Sequence, residues 1–178
     1  ARGVAILGNR LFVGTLDGFL VSLDARSGQP LWEVPVVDTM DGSSITSPPL
    51  VLKDMVITGM TGGEYATRGF LDAYDAATGK RRWRFYTIPG PGEFGNDTWL
   101  NDSWSYTGNN GVWAQMSVDE ELETVYMPVE LPTGDYYGGN RPGANLFSET
   151  LVALDLTTGQ RKWHFQFVHH GIWDFDMA

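Results

Sequence analysis

The chain has 178 residues, 42% of them hydrophobic, a formal net charge of −10 and no cysteine. That is enough apolar material for a packed core, while the acidity argues against a nucleic-acid backbone or an anionic membrane surface as partner, since both reward clustered Lys and Arg. The missing cysteines exclude a disulfide framework and a thiolate metal site within this stretch, and no apolar run is long enough to cross a bilayer as a helix.

In chain order, GVAIL and RLFVGT read as short strands and lead into the hairpin SLDARSGQPLW (Ser22–Trp32). SPPLVL and DMVITGM lead into AYDAATGKRRW (Ala73–Trp83), and VWAQMSVD and ETVYMPV lead into ALDLTTGQRKW (Ala153–Trp163). In each hairpin an Asp ends one strand and is placed to cap the turn. A glycine (Gly28, Gly79 or Gly159) supplies the positive φ, and a Trp (Trp32, Trp83 or Trp163) is carried into a packed position by the next strand. Four short strands per unit, without helical periodicity, predict an all-β chain of propeller blades. The blades fall at about 1–36, 45–86 and 111–167, with the start of another at 168–178. Two loops rich in Gly, Asn and Pro, Thr87–Gly111 and Glu130–Ser148, interrupt the third unit. Long loops on a regular scaffold are where function concentrates. An incomplete ring leaves strand edges open, so this piece is expected to be unstable alone and the natural protein to continue past Ala178.

The densest chemistry is HHGIWDFD, His169–Asp176. Asp174 reads either as a base that takes a hydroxyl proton or as a strand-end cap. Asp176, two residues on, would share its face and could add a hard oxygen ligand, or stay solvated. His169 and His170, adjacent on a strand, would point to opposite faces, and His164 adds no metal spacing. Hydrogen-bonded histidines are therefore preferred over a zinc site. Glu64 follows two glycines in TGGEYATRG and is either a cation ligand or a partner of Arg68. Trp113 is either a stacking platform or core. GPGEFG (Gly90–Gly95) matches a dinucleotide fingerprint by letter only, because it carries a proline and follows no βαβ pattern.

The Dxx(S/T)GxxxW hairpin inside four-stranded blades resembles the docking repeat of the pyrroloquinoline-quinone (PQQ) dehydrogenases. ITSPPLV, TGGEYATRGFLDAYDAATGK, DYYGGNRPGANLF and HHGIWDFD look like segments of that family, in the family's order. WAQMSVD, DYYGGNRPG and the paired histidines look closest to the glucose and sugar type, with the alcohol type next. The resemblance implies an eight-bladed propeller of the bacterial periplasm, of which this chain is about three and a half blades. Any membrane attachment would then lie in regions outside the segment. It implies a quinoprotein that oxidises a sugar or alcohol hydroxyl by hydride transfer to PQQ, handing electrons to cytochrome c or ubiquinone. Carried onto this sequence, Asp174 is the base and Trp113 the floor under the quinone. Arg2 and Thr46 hold the cofactor's carboxylates, and Thr61, Gly62 and Gly63 contact it. Glu64, Asp174 and Asp176 are the candidate ligands of Ca²⁺ or another divalent or lanthanide cation. Two positions depart from the pattern: Leu131 stands where the family often supplies an Asn ligand, and Gly111 where alcohol-type relatives have a Thr. The rival reading is a non-catalytic scaffold of the outer-membrane assembly lipoprotein type, which needs the hairpins but not Glu64, Trp113 and Asp174 together.

Overall fold

The computed structural model describes residues 2–62, 65–134, 136–174 and 177. Twelve strands form three four-stranded antiparallel sheets, each in simple chain order. The first holds β1 (Ala5–Leu7), β2 (Arg10–Gly14), β3 (Phe19–Asp24) and β4 (Pro30–Pro35). The second holds β5 (Leu50–Leu52), β6 (Met55–Gly59), β7 (Phe70–Asp75) and β8 (Arg81–Tyr86). The third holds β9 (Ser117–Asp119), β10 (Thr124–Val129), β11 (Thr150–Asp155) and β12 (Arg161–Gln166). These are propeller blades, as the repeat predicts.

The three hairpins use the same atoms. Asp24 Oδ1 accepts from the Arg26 and Ser27 amides at 3.1 and 2.8 Å and from the Ser27 hydroxyl at 2.8 Å. Asp75 does this with Ala77 and Thr78, and Asp155 with Thr157 and Thr158. Gly28, Gly79 and Gly159 then take φ of 71°, 72° and 70°, which a side chain resists. Two of the three Trp side chains reach across to the next blade. Trp32 Nε1 donates to the Ala76 carbonyl at 3.1 Å, and Trp83 Nε1 to that of Leu156 at 3.0 Å. The rings lie on the glycines of the receiving turns: a Cβ on Gly79 would come within 2.9 Å of Trp32, and one on Gly159 within 2.6 Å of Trp83. Glycine therefore serves twice, for its φ and for the seat it leaves the indole. Trp163 is 44% exposed, and a Cβ on Gly28 would meet nothing.

Strand alternation places the core between blades. Met55 and Ile57 of β6 pack with Val125, Met127, Val152 and Leu154 of the third sheet. Val56, between them in sequence, packs with Phe12 and Leu20 of the first. The second sheet is thus covered on both faces, and every residue of β6 is buried. One charge is enclosed with it. Asp72 is fully buried and accepts from Arg84 Nε and Nη2 at 2.7 and 2.6 Å and from the Tyr74 hydroxyl at 2.7 Å. Arg84 also stacks on Phe70 at 3.5 Å from the ring centroid. Burial beside the Asp72 charge pushes the Tyr74 hydroxyl pKa upward.

Candidate functional site

Two predicted cofactor residues, Arg2 and Trp113, line one cleft, and a third, Thr46, is hydrogen-bonded to Arg2 through the backbone. The Arg2 amide donates to the Thr46 carbonyl at 2.9 Å, and the Arg2 guanidinium stacks on Trp113 at 4.3 Å from the ring centroid. Arg2, Pro48, Trp113, Ala114 and Gln115 line a cleft of about 290 Å³. Trp113 stands ahead of β9 rather than opening it, because the strand pairing starts only at Ser117. Its indole is fixed from the side: Nε1 donates to Glu130 Oε2 at 2.6 Å. Thr61 is tied to Ser44 by a pair of backbone hydrogen bonds of 3.0 and 2.9 Å, and the neighbouring Met60 carbonyl accepts from the Val112 amide at 3.0 Å. Gly62 packs on Ser43 Cα. The segment before Glu64 thus runs beside the one that delivers Trp113. Gly111 is where these segments crowd together, since a Cβ there would fall 2.2 Å from Glu130 Oε1 and 2.7 Å from the Met60 carbonyl. The expected threonine position is therefore filled by a carboxylate instead.

Gly63, Glu64 and Asp176 lie outside the described residues. Arg68, the alternative partner considered for Glu64, pairs with Glu93 at 2.6 Å, donates to the Ile88 carbonyl at 2.6 Å and stacks on Tyr86 at 3.8 Å from the ring centroid. Leu131 is buried and offers only its carbonyl, which accepts from Asn109 Nδ2 at 2.8 Å and the Asn110 amide at 3.2 Å. It cannot serve a cation. Its neighbour Glu130 turns its carboxylate toward Trp113.

Asp174 is exposed, and its Oδ2 accepts from the Tyr136 hydroxyl at 3.2 Å. Among the described residues no strand follows β12, and no hydrogen bond or ion pair joins Asp174 to Arg2, Thr46 or Trp113. His170 and Asp174 have φ of 54° and 50°. The segment is therefore not extended at these points, and the argument that neighbouring histidines face opposite ways does not apply to it. His170 is hydrogen-bonded, as preferred: its amide donates to the Ala144 carbonyl at 3.3 Å, and Nδ1 lies 2.9 Å from the Gly143 carbonyl. His164 packs edge-on to Phe94 and Phe147 instead, and burial lowers its pKa, helped by the Arg161 charge.

Sequence reading singled out the loop before β11 but missed the residues in and next to it that support the Asp174 segment. Arg141 is the largest fully buried side chain among the described residues. It donates to the Gly171 carbonyl at 2.6 Å, to the Thr133 and Gly134 carbonyls at 3.2 Å each, and to Asn145 Oδ1 at 3.0 Å. Glu149 is fully buried with its carboxylate against Gly171, where a Cβ would fall 1.8 Å from Oε2. Burial pushes its pKa up to about 7, opposed by the Arg141 charge and by the nearby Gly171 amide. That amide favours the ionised form without reaching hydrogen-bond geometry. The available signal was a charged residue on either side of an apolar stretch in NRPGANLFSE, at the end of a loop read as functional and family-like but without a role for Arg141 or Glu149.

Three consecutive four-stranded antiparallel blades define the class, a β-propeller chain, and an arginine and an indole line one cleft in it. The family follows from comparison. The model for the PQQ glucose/ethanol/alcohol dehydrogenase β-propeller domain matches residues 2–178, and the chain belongs to that family. It is 40% identical to the quinohemoprotein alcohol dehydrogenase ADH IIB of Pseudomonas putida, over 98% of this chain and 27% of that protein. It is 34% identical to the lanthanide-dependent methanol dehydrogenase of Methylacidiphilum fumariolicum, over 98% of this chain and 31% of that one. A solved europium-containing methanol dehydrogenase superposes with a TM-score of 0.90 at 33% identity, covering 98% of this chain and 33% of its own. The chain thus spans about a quarter to a third of the length of these relatives. These relatives are alcohol and methanol dehydrogenases, whereas the motifs alone look closest to the sugar type.

Proposed function

We propose that this chain forms part of a PQQ-dependent dehydrogenase that oxidises an alcohol hydroxyl. The observation that carries the reading is the Arg2–Trp113 stack beside Thr46, in a chain of this family. A planar guanidinium already rests on the indole, so that face accepts a flat group. Arg2 and Thr46 suit the carboxylates of the cofactor, and Trp113 its ring. Thr61 and Gly62 border the same region, with Gly63 next in the chain. Bound there, PQQ supplies the hydride acceptor, and a Ca²⁺, other divalent or lanthanide cation supplies a Lewis acid. Asp174, with Glu64 and Asp176, would hold that cation; Leu131 withdraws one family ligand.

The protein's own part is to position and to move a proton. Glu130 fixes the plane of Trp113 through Nε1. Asp174 takes the hydroxyl proton of the substrate as its carbon is oxidised. Its carboxylate is exposed to solvent, and the Tyr136 hydroxyl donates to Oδ2. We place the enzyme in the periplasm, with cytochrome c or ubiquinone as electron acceptor. A non-catalytic scaffold would need neither the Arg2–Trp113 cleft nor the Asp174 support.

Full-length protein incubated with PQQ and Ca²⁺, or with PQQ and La³⁺, should reduce an electron-accepting dye with primary alcohols. Turnover with aldoses but not alcohols would restore the sugar-type reading. No turnover together with no PQQ binding would favour the scaffold.

A further inference from the structure

One loop, Thr133–Glu149, holds the HHGIWD segment at four places. Arg141 Nη2 binds the Gly171 carbonyl, and the Glu149 carboxylate fills the space where Gly171 would carry a side chain. The Gly143 and Ala144 carbonyls meet the ring and amide of His170. The Tyr136 hydroxyl meets Asp174. Gly138 adds a close fit, since a Cβ there would fall 2.4 Å from His170 Nε2. The segment they hold has no sheet of its own among the described residues, and two of its residues sit at positive φ. Its shape is therefore imposed by the loop rather than by strand pairing. A fully buried arginine and a fully buried glutamate are costly groups to keep. Neither is among the residues that line the Arg2–Trp113 cleft, and both meet Gly171, on the peptide that leads to Asp174.

We propose that Arg141 and Glu149 are positioning residues for the reaction: together they grip Gly171 and so set the direction of the Asp174 carboxylate. This rests on the reading of Asp174 as the base. Misplacing a reacting group by about 1 Å can cost on the order of 100-fold in rate, so the grip matters if Asp174 does chemistry.

The test uses the full-length protein with PQQ and Ca²⁺, comparing Arg141→Lys, Glu149→Ala, Glu149→Gln and Tyr136→Phe with wild type and Asp174→Asn. Amide exchange of the peptide covering His169–Asp174 reads the grip without activity. It should quicken by about tenfold or more in Arg141→Lys and Glu149→Ala, and stay near wild type in the isosteric Glu149→Gln. In the same two variants kcat should fall by about tenfold or more, with KM and PQQ affinity within about twofold, and Glu149→Gln should recover most of the turnover. Tyr136 is exposed, so Tyr136→Phe keeps the test open should the buried variants fail to fold: its kcat should fall about threefold to tenfold, with unchanged melting. Unchanged kcat in folded Glu149→Ala, or in Tyr136→Phe when the buried variants do not fold, would overturn the proposal. So would losses of kcat and PQQ affinity in equal measure. Full turnover in Asp174→Asn would instead remove the functional reading, and amide exchange would still decide whether the grip exists.

Discussion

At the hairpin turns one set of contacts is used repeatedly. The Asp–Ser/Thr turn recurs three times with the same donors and nearly the same distances, and the indole seated on the next blade's glycine recurs twice. At the loop-built site no contact is repeated: Trp113 leans on Glu130, Arg141 on four backbone and side-chain oxygens, and Asp174 on Tyr136. The first region stacks blades, and any blade serves. The second must aim particular side chains at particular points, which a repeating scaffold cannot do. Buried charge shows the same division. Asp72 between blades is matched by Arg84 and Tyr74. Glu149 at the site has no hydrogen-bond donor of regular geometry among the described residues, and it faces only the general field of Arg141 and the Gly171 amide.

The largest expected effects break the stacking. In the full-length protein, Trp83→Ala should cost about 3–5 kcal/mol by denaturant titration, through a cavity and a lost bond to Leu156. Asp72→Ala should cost a similar ~3–5 kcal/mol, because it leaves the Arg84 charge without its partner between blades. A loss under about 1 kcal/mol for either would mean the blades are held by other contacts.

Next in size is the pH response of Glu149. Burial raises its folded pKa to about 7 from an unfolded value near 4.5. Between those values the folded chain keeps a proton that the unfolded chain has released. Its contribution is therefore complete below about pH 4.5 and is lost as pH rises through about 7, an effect of at most ~3 kcal/mol. Glu149→Gln should flatten this part of the pH–stability curve and be the more stable form at pH 8. Identical curves would mean that the carboxylate is better solvated than its burial implies.

The smallest effect is the most exact comparison. Gly28→Ala and Gly159→Ala impose the same left-handed strain, about 1–2 kcal/mol, because their φ values agree within a degree. Only Gly159 lies under an indole, so Gly159→Ala should cost more by about 1–3 kcal/mol. Equal losses would show that the Trp83 ring can shift at little cost.

The same division explains what could be read from the sequence. The hairpins were legible because Asp, Gly and Trp each have one physical task there and the spacing repeats it. Arg2, Thr46 and Trp113 came from family resemblance; Arg2 and Trp113 line one cleft, and Thr46 adjoins Arg2 through a backbone hydrogen bond. Trp163 shares the motif of Trp83 yet is 44% exposed, because the motif specifies the ring and not the surface that receives it. Glu130, Arg141 and Glu149 were not legible as a set. Their partners are distant in sequence and irregular in spacing, and a loop has no period from which to infer a facing residue. The strand logic applied to HHGIWD failed for a local reason, the positive φ of His170 and Asp174.

The central claim is that Asp174 performs the proton transfer while the Arg2–Trp113 cleft holds the cofactor. It is tested most directly by Asp174→Asn in the full-length protein, with PQQ affinity and dye-linked turnover measured side by side. The account predicts unchanged PQQ binding with turnover reduced by about 100-fold or more. Turnover equal to wild type with PQQ bound would contradict it.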